Sequence, residues 1–346
     1  MKTVLSEDTT TLRERLTAFA RGFAGRRVLV VGDLIADQFV SGEIERVSRE
    51  APVMILRHER TETVPGGAAN CALNLATLGA RASIVGAVGD DEPGRSLIER
   101  LSAAGVDCGG VVAAPRLRTT TKVRILAGHA HAPRQQVVRM DYENGAPLDE
   151  KLLAELAGRV AEGFDAADAA VVSDYNYGVA SDATTRKLRG AAREGAATVL
   201  ADSRYRLAEF AGFTSATPNE DEVEQVAGRR FSDTDVDELA AAGESLRQRL
   251  DFRALLITRG KHGMLLLEEG TAPLHIAAVG SHGAVDVTGA GDTVIATYAL
   301  ALAAGAGFAD AARLANHAGG IVVLKPGTAT VSPQELLASL EQECSD

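Results

Sequence analysis

A doubly wound α/β fold, with a mostly parallel sheet flanked by helices, follows from three features of the sequence. First, five short apolar runs are continuous rather than alternating: RRVLVVGD (26–33), ASIVGAVGD (82–90), AAVVSDY (169–175), ATVLADS (197–203) and ALLITRG (254–260). Such runs suit strands buried on both faces of a parallel sheet. Second, helical patterns lie between them, which implies βαβ units. Third, 346 residues suffice for one large α/β domain or two ordinary ones, each with a sizeable core.

The elements can be justified in chain order. Thr10–Phe23 reads as a short amphipathic helix, a leader over residues 1–25. The first core strand follows at 26–33, opening a domain expected over 26–340. Residues 38–64 and 117–140 alternate polar and apolar and break the strand–helix rhythm. A small antiparallel sheet covering the site as a lid explains both; two surface hairpins are the alternative. In GGAANCALNLATLGA, the residues Ala68, Cys71, Ala72, Leu75 and Leu78 recur at helical spacing, and Gly79 is placed to stop that helix. Ligands of open α/β sheets sit beyond the carboxyl ends of the strands. Asp33, Asp174, Asp202 and Arg259 would fall there.

Composition excludes several classes. The net charge is −11, from 36 basic and 47 acidic residues. A general nucleic-acid binder needs basic patches to replace counterions, so nucleic acid is not an expected partner. No apolar run is long enough to cross a bilayer, and MKTVLSEDTTTLRERLTAFARGFAG lacks the apolar core of a secretory signal, so no membrane association is expected. The three cysteines (71, 108 and 344) show no CxxC spacing, which fits a reducing cytoplasm and provides no metal site.

Two glycine-rich turns carry the chemistry. GDDEPGRS (89–96) nearly matches a phosphate-binding loop, but Arg95 replaces the lysine, and Asp90, Asp91 and Glu92 would repel phosphate. It reads as a strand end followed by a helix start. VVGDLIAD lacks the GxGxxG dinucleotide fingerprint. DVTGAGDT (286–293) is the better candidate. Small residues let consecutive N–H groups point into one concavity, and the next helix adds its positive end. Gly289, Ala290 and Gly291 would form that nest, and Asp292 could take a proton from an attacking hydroxyl. An ordinary helix-starting aspartate after a glycine turn is the competing reading. PGGAANC (65–71) is the second turn: Gly66 and Gly67 permit close backbone approach, and Asn70 could hydrogen-bond a polyhydroxyl ligand, unless the turn serves only strand–helix packing. Lys122, Arg124 and Arg139 are cations on the alternating strands of an acidic protein, suited either to gripping a phosphate or to surface pairing with Asp141 and Glu143. His129 and His131 read as loop histidines.

The order GGAAN, then TPNEDE (217–222), then DVTGAGD resembles the two signatures of the ribokinase-like (PfkB) sugar kinases over roughly residues 26–340. The resemblance implies an ATP-dependent sugar kinase with Asp292 as catalytic base and Gly289–Gly291 as anion hole. It implies that Asn219 and Glu222 organise Mg²⁺ and phosphates, largely through water. Asp37, Gly67 and Asn70 match sugar-binding positions, with Asp174 at a strand end beside them. Thr258, Arg259, Gly260, Gly263 and Asn316 match nucleotide positions. Asp286 and Thr288 match a monovalent-cation (K⁺) loop. A homodimer through the lid is a further family expectation.

Within the family, RVSREAPV (46–53), TKVR (121–124), QQVVRMDYE (135–143) and GTATVSP (327–333) are similar to bacterial D-glycero-D-manno-heptose 7-phosphate kinases, which act on the anomeric hydroxyl. The chain departs from them at two strand ends. DYNYG (174–178) has Tyr177 where those enzymes usually carry lysine, and DSRY (202–205) replaces DPKG, leaving Arg204 as the cation on the nucleotide side. The expected substrate is therefore heptose 7-phosphate. Ribose, fructose or a hexose phosphate, or a non-catalytic sugar-binding regulator, remain as alternatives.

Overall fold

The computed structural model describes residues 9–128, 134–144, 146–231, 236–280 and 283–342; His129, His131 and Cys344 lie outside them. Helix α1 (Thr9–Arg21) is followed by β1 (Arg27–Gly32), β2 (Leu34–Val47), β3 (Met54–Gly67), α2 (Ala68–Thr77), β4 (Arg81–Gly89), α3 (Glu92–Ala103) and β5 (Asp107–Ala114). Then come β6 (Thr121–Gly128), β7 (Gln135–Tyr142), α4 (Glu150–Phe164), β8 (Ala169–Asp174), α5 (Asp182–Arg193), β9 (Thr198–Ser203), β10 (Ser215–Ala216), α6 (Glu220–Ala227) and α7 (Val236–Arg249). The chain closes with β11 (Ala254–Thr258), β12 (Met264–Glu268), β13 (Leu274–Ile276), α8 (Ala290–Ala303), α9 (Phe308–Val322) and α10 (Pro333–Gln342).

The large sheet has the order β13-β12-β11-β10-β9-β8-β1-β4-β5. It is parallel from β5 to β11, with an antiparallel edge made by β12 and β13. Alternate residues of β1 feed two cores: Val28 and Val30 pack with α1, α2, α8, α9 and α10, and Leu29 and Val31 with α4, α5 and α7. This three-layer arrangement is why the strands read as continuous apolar runs. Helix α8 is buried on all sides from Asp292 to Ala301, so its sequence is apolar all round rather than striped. Helix α1 is docked: Leu16, Ala20 and Phe23 are buried, and Arg15 forms a two-pronged ion pair with Asp310 at 2.7 and 2.8 Å.

All parallel strands end at one edge, and β8 and β1 flank the point where the strand order reverses. Strand β2 leaves β1 at that edge, after Asp33, and builds the smaller sheet β3-β2-β6-β7 over it. The small sheet was expected to be antiparallel. Its central pair β2–β6 runs parallel, with Asp37 beside Lys122 and Phe39 beside Arg124. That register follows because β2 and β6 both enter from the large sheet's carboxyl edge. The GDDEPGRS segment is a strand end and helix start as expected: Gly89 closes β4, and Asp91 caps α3 by accepting from the Gly94 amide at 3.0 Å.

Candidate functional site

Between the sheets lies a cleft of about 480 Å³, lined by residues from both. Its floor is the start of α8. Gly289 caps this helix with φ 77°, a left-handed conformation that favours glycine. The Ala290 amide is occupied by the Val287 carbonyl at 3.2 Å. The first-turn amides of Gly291 and Asp292 have no intrahelical acceptor, so the anion-receptive N–H groups lie at the 291 and 292 end of the turn.

Asp292 is 2% exposed. Its Oδ1 accepts from the Tyr175 hydroxyl at 2.9 Å and its Oδ2 from the Asn70 amide at 3.0 Å. Burial raises its pKa to about 7; the Asn70 and Tyr175 hydrogen bonds oppose the rise, Asp37 adds to it and Lys122 reduces it. A carboxylate poised near neutrality suits a general base. Asn70 is itself held by Asn74, whose amide donates to the Asn70 side-chain oxygen at 3.1 Å. Gly66 and Gly67 bring this helix start against β2. A Cβ at Gly66 would stand 2.3 Å from the Asp37 carboxylate, and one at Gly67 would stand 2.8 Å from the Asp33 carbonyl.

The small sheet contributes Asp37, Lys122 and Arg124 to the cleft. Arg124 is ion-paired to buried Asp37 and lies 5.4 Å from the Phe39 ring centroid. Arg139 stands outside the lining, on exposed β7, in a two-pronged pair with Asp141 at 2.9 Å. That leaves Lys122 and Arg204 as the cleft cations without an ion-pair partner among the described residues. Burial lowers the Lys122 pKa, Asp37 opposes this, and Arg204 adds to it.

On the large-sheet side, Asp174 accepts from the Ser203 hydroxyl at 2.7 Å and pairs with Arg206. Asn219 and Glu222 line the cleft and form a reciprocal capping box at the start of α6, at 2.8 and 2.9 Å. Burial raises the Glu222 pKa to about 7 and pushes Asp202 well above the carboxylate range. Thr258 lines the cleft. Arg259 is turned away, buried and paired with Glu220 at 2.7 Å, while Gly260 and Gly263 shape the tight turn that follows. Asn316 lies in a separate cavity of about 290 Å³ beside Leu12 and His275, donating to the Ala277 carbonyl at 2.6 Å. Tyr177 is outside the cleft lining, its hydroxyl on Glu143 at 2.6 Å. Asp286 accepts from the Thr288 amide at 2.9 Å and the Gly327 amide at 3.0 Å. These bonds, with the Thr288 hydroxyl, outweigh burial and hold its pKa low.

Sequence reasoning missed Tyr175 as a site residue. Its signal was its place: it directly follows β8, at the edge where ligands of such sheets bind.

The chain is similar to known proteins over nearly its whole length. The pfkB family of carbohydrate kinases matches residues 26–335. The chain is 41% identical over 315 residues to Bifunctional protein HldE of Photobacterium profundum, covering 90% of this chain and 63% of that protein. It is 42% identical over 316 residues to Bifunctional protein HldE of Chromohalobacter salexigens, covering 91% and 63%. The chain thus spans less than two thirds of these relatives. Among solved structures, phosphofructokinase-2 from Escherichia coli in complex with substrates and products superposes with a TM-score of 0.74 at 19% identity, covering 92% of this chain and 99% of that one. Arabidopsis thaliana ribokinase complexed with ribose and ATP gives 0.69 at 20%, with the same coverage. These two likenesses establish the ribokinase-like fold. With the family match over residues 26–335, the chain belongs to the pfkB family of carbohydrate kinases and is a phosphotransferase with an alcohol group as acceptor.

Proposed function

We propose that the protein transfers the γ-phosphoryl group of ATP to the anomeric hydroxyl of D-glycero-D-manno-heptose 7-phosphate, giving the 1,7-bisphosphate. The observation that carries this is the buried Asp292 at the α8 N-terminus, facing a cleft in which Lys122 and Arg204 have no ion-pair partner among the described residues. Asp292 accepts the proton of the acceptor hydroxyl as its oxygen bonds to the γ-phosphorus. The bond from that phosphorus to the β–γ bridging oxygen breaks, and ADP leaves. The amides at 291 and 292 and the positive end of α8 face the transferring group. Asp37 lines the cleft and is placed for sugar hydroxyls, while Asn70, fully buried, serves the sugar side through the Asp292 carboxylate it holds. Lys122 suits the sugar phosphate, with Arg124 behind it and Arg139 as an outer member of the same row. The segments resembling heptose kinases support this sugar.

Asn219, Glu222 and Thr258 mark the nucleotide side, with Arg204 between it and Lys122; Asn316 and the 259–263 turn extend it. The donor set fits Mg²⁺: the Glu222 and Asp202 carboxylates line the cleft beside Asn219, oxygen donors of the kind this ion takes. Asn219 and Glu222 would hold it through water and phosphates, and the ion, when bound, neutralises phosphate charge. The Asp286 loop suits K⁺, since the buried Thr328 hydroxyl beside it has no hydrogen-bond partner among the described residues. The small sheet would act as a lid that excludes water. Its edge strand β7 exposes Val138 and Met140, which supports a homodimer through this sheet. Among the described residues no helix is long and apolar enough to cross a membrane; with the cysteine pattern, this fits work in the cytoplasm.

An acceptor screen tests the assignment. ATP consumption should be fastest with heptose 7-phosphate, and Lys122→Met should raise KM for that acceptor by at least tenfold, the scale of one lost charged contact, with little change for ATP. Preference for an unphosphorylated sugar would refute the phosphate grip.

A further inference from the structure

The segment between β8 and α5 is pinned more firmly than a surface turn needs. Buried Asp33 accepts three backbone N–H bonds from it: Tyr175 at 2.9 Å, Tyr177 at 3.0 Å and Val179 at 3.1 Å. Asn176 adopts a left-handed φ of 66° and donates its amide to Asp174 at 3.1 Å. The effect is to fix the Tyr175 ring in the cleft wall, with the Lys122 ammonium 5.2 Å from its centroid. The ring carries one polar atom, and that atom donates to Asp292 Oδ1 at 2.9 Å.

We propose that Tyr175 is a positioning residue for the catalytic base: its hydroxyl, opposite the Asn70 amide, fixes the plane of the Asp292 carboxylate and holds it ionised for proton transfer. This rests on the reading of Asp292 as the base. With one donor on each oxygen, the carboxylate cannot rotate without breaking a bond, yet each oxygen keeps a lone pair for the acceptor hydroxyl. Burial pushes the phenol far above its ordinary range, so Tyr175 stays protonated and acts only as a donor. Hydrogen bonds to the charged form of a buried acid favour ionisation against desolvation. The other charged groups around Asp292 are Asp37 on β2 and Lys122 and Arg124 on β6. Asp174, Asp202, Arg204 and Glu222 face it from the large sheet, and the Cys71 thiol, neutral through burial, lies behind it on α2. Of these, Asp37 opposes ionisation and Lys122 favours it. Both donors are neutral, but the Asn70 side chain also bonds the Gly289 carbonyl and Asn74, so the Tyr175 hydroxyl is the one that can be deleted without changing a charge or those other bonds.

Tyr175→Phe keeps the ring and deletes the donor. Two readouts apply to the full chain. By carbon-13 NMR of aspartate-labelled protein, with the Asp292 signal assigned by its loss in Asp292→Asn, the carboxyl should titrate about one pH unit higher in Tyr175→Phe, the scale of one lost hydrogen bond to a carboxylate. In ATP-dependent phosphorylation, the acid limb of kcat should move up by the same amount. Turnover at pH 7 should fall about fivefold and recover above about pH 9, with KM for ATP unchanged. An unmoved carboxyl titration overturns the role given to Tyr175. A moved titration with an unmoved rate profile overturns Asp292 as the base. A loss uniform across pH, with the titration unmoved, marks Tyr175 as structural only and also overturns the proposal.

Discussion

Asp292→Asn should lower kcat by at least about 10²-fold, the range for loss of a general base, while leaving ATP affinity nearly unchanged. The carboxylate is the one buried acid at the α8 N-terminus, held by Asn70 and Tyr175 in the cleft. Asparagine matches its volume and can accept one bond and donate another, so the packing of α8 is retained. What it cannot do is accept a proton from the acceptor hydroxyl. Nucleotide contacts on the Asn219 and Thr258 side are untouched. Steady-state kinetics with a separate ATP-binding titration separates the two effects; near-normal turnover would remove Asp292 from the mechanism.

Gly289→Ala should lower kcat by at least about tenfold and also lower the melting temperature. Two costs combine. The residue sits at φ 77°, where an L side chain costs about 1–2 kcal/mol. Its Cβ would stand 2.6 Å from the Asn70 side-chain nitrogen and 3.0 Å from the Thr328 methyl. Asn70 would have to move, and with it one of the two donors on Asp292. The Asn70 amide also donates to the Gly289 carbonyl at 3.3 Å, so helix cap and base are joined through one side chain. Gly283→Ala is the control, since its Cβ meets nothing within 4 Å. If the two variants behave alike in turnover and melting, the proposed coupling between cap and base is wrong.

Legibility in the sequence followed the range of the forces involved. Strands β1, β4, β8, β9 and β11 were readable because burial on both faces leaves a local apolar signature. Strand β10 has two residues and β5 carries adjacent glycines, so neither is a run. The α8 turn was readable because its glycines, acid and helix are contiguous. Partner choice was not. Arg124 pairs with Asp37 because of the parallel β2–β6 register, a tertiary fact. Tyr175 and Asp292 are 117 positions apart, and Asp33 and Tyr175 are 142 apart. The Asn219–Glu222 pair shows the opposite case: its spacing is that of a capping box, and the structure forms that box at the edge of the cleft, so one pair of residues has a local structural cause as well as the ligand role proposed for it.

The most direct test of the central claim, that a buried Asp292 takes the acceptor proton, is the pH dependence of kcat for the wild-type protein with a turning-over sugar acceptor. With the Asp292 pKa raised by burial to about 7, the base is protonated and idle below that pH and ionised above it. The rate should therefore climb tenfold per pH unit on the acid side and level off above about pH 7. A rate flat from pH 5 to 8, with no change on crossing the raised pKa, would contradict it.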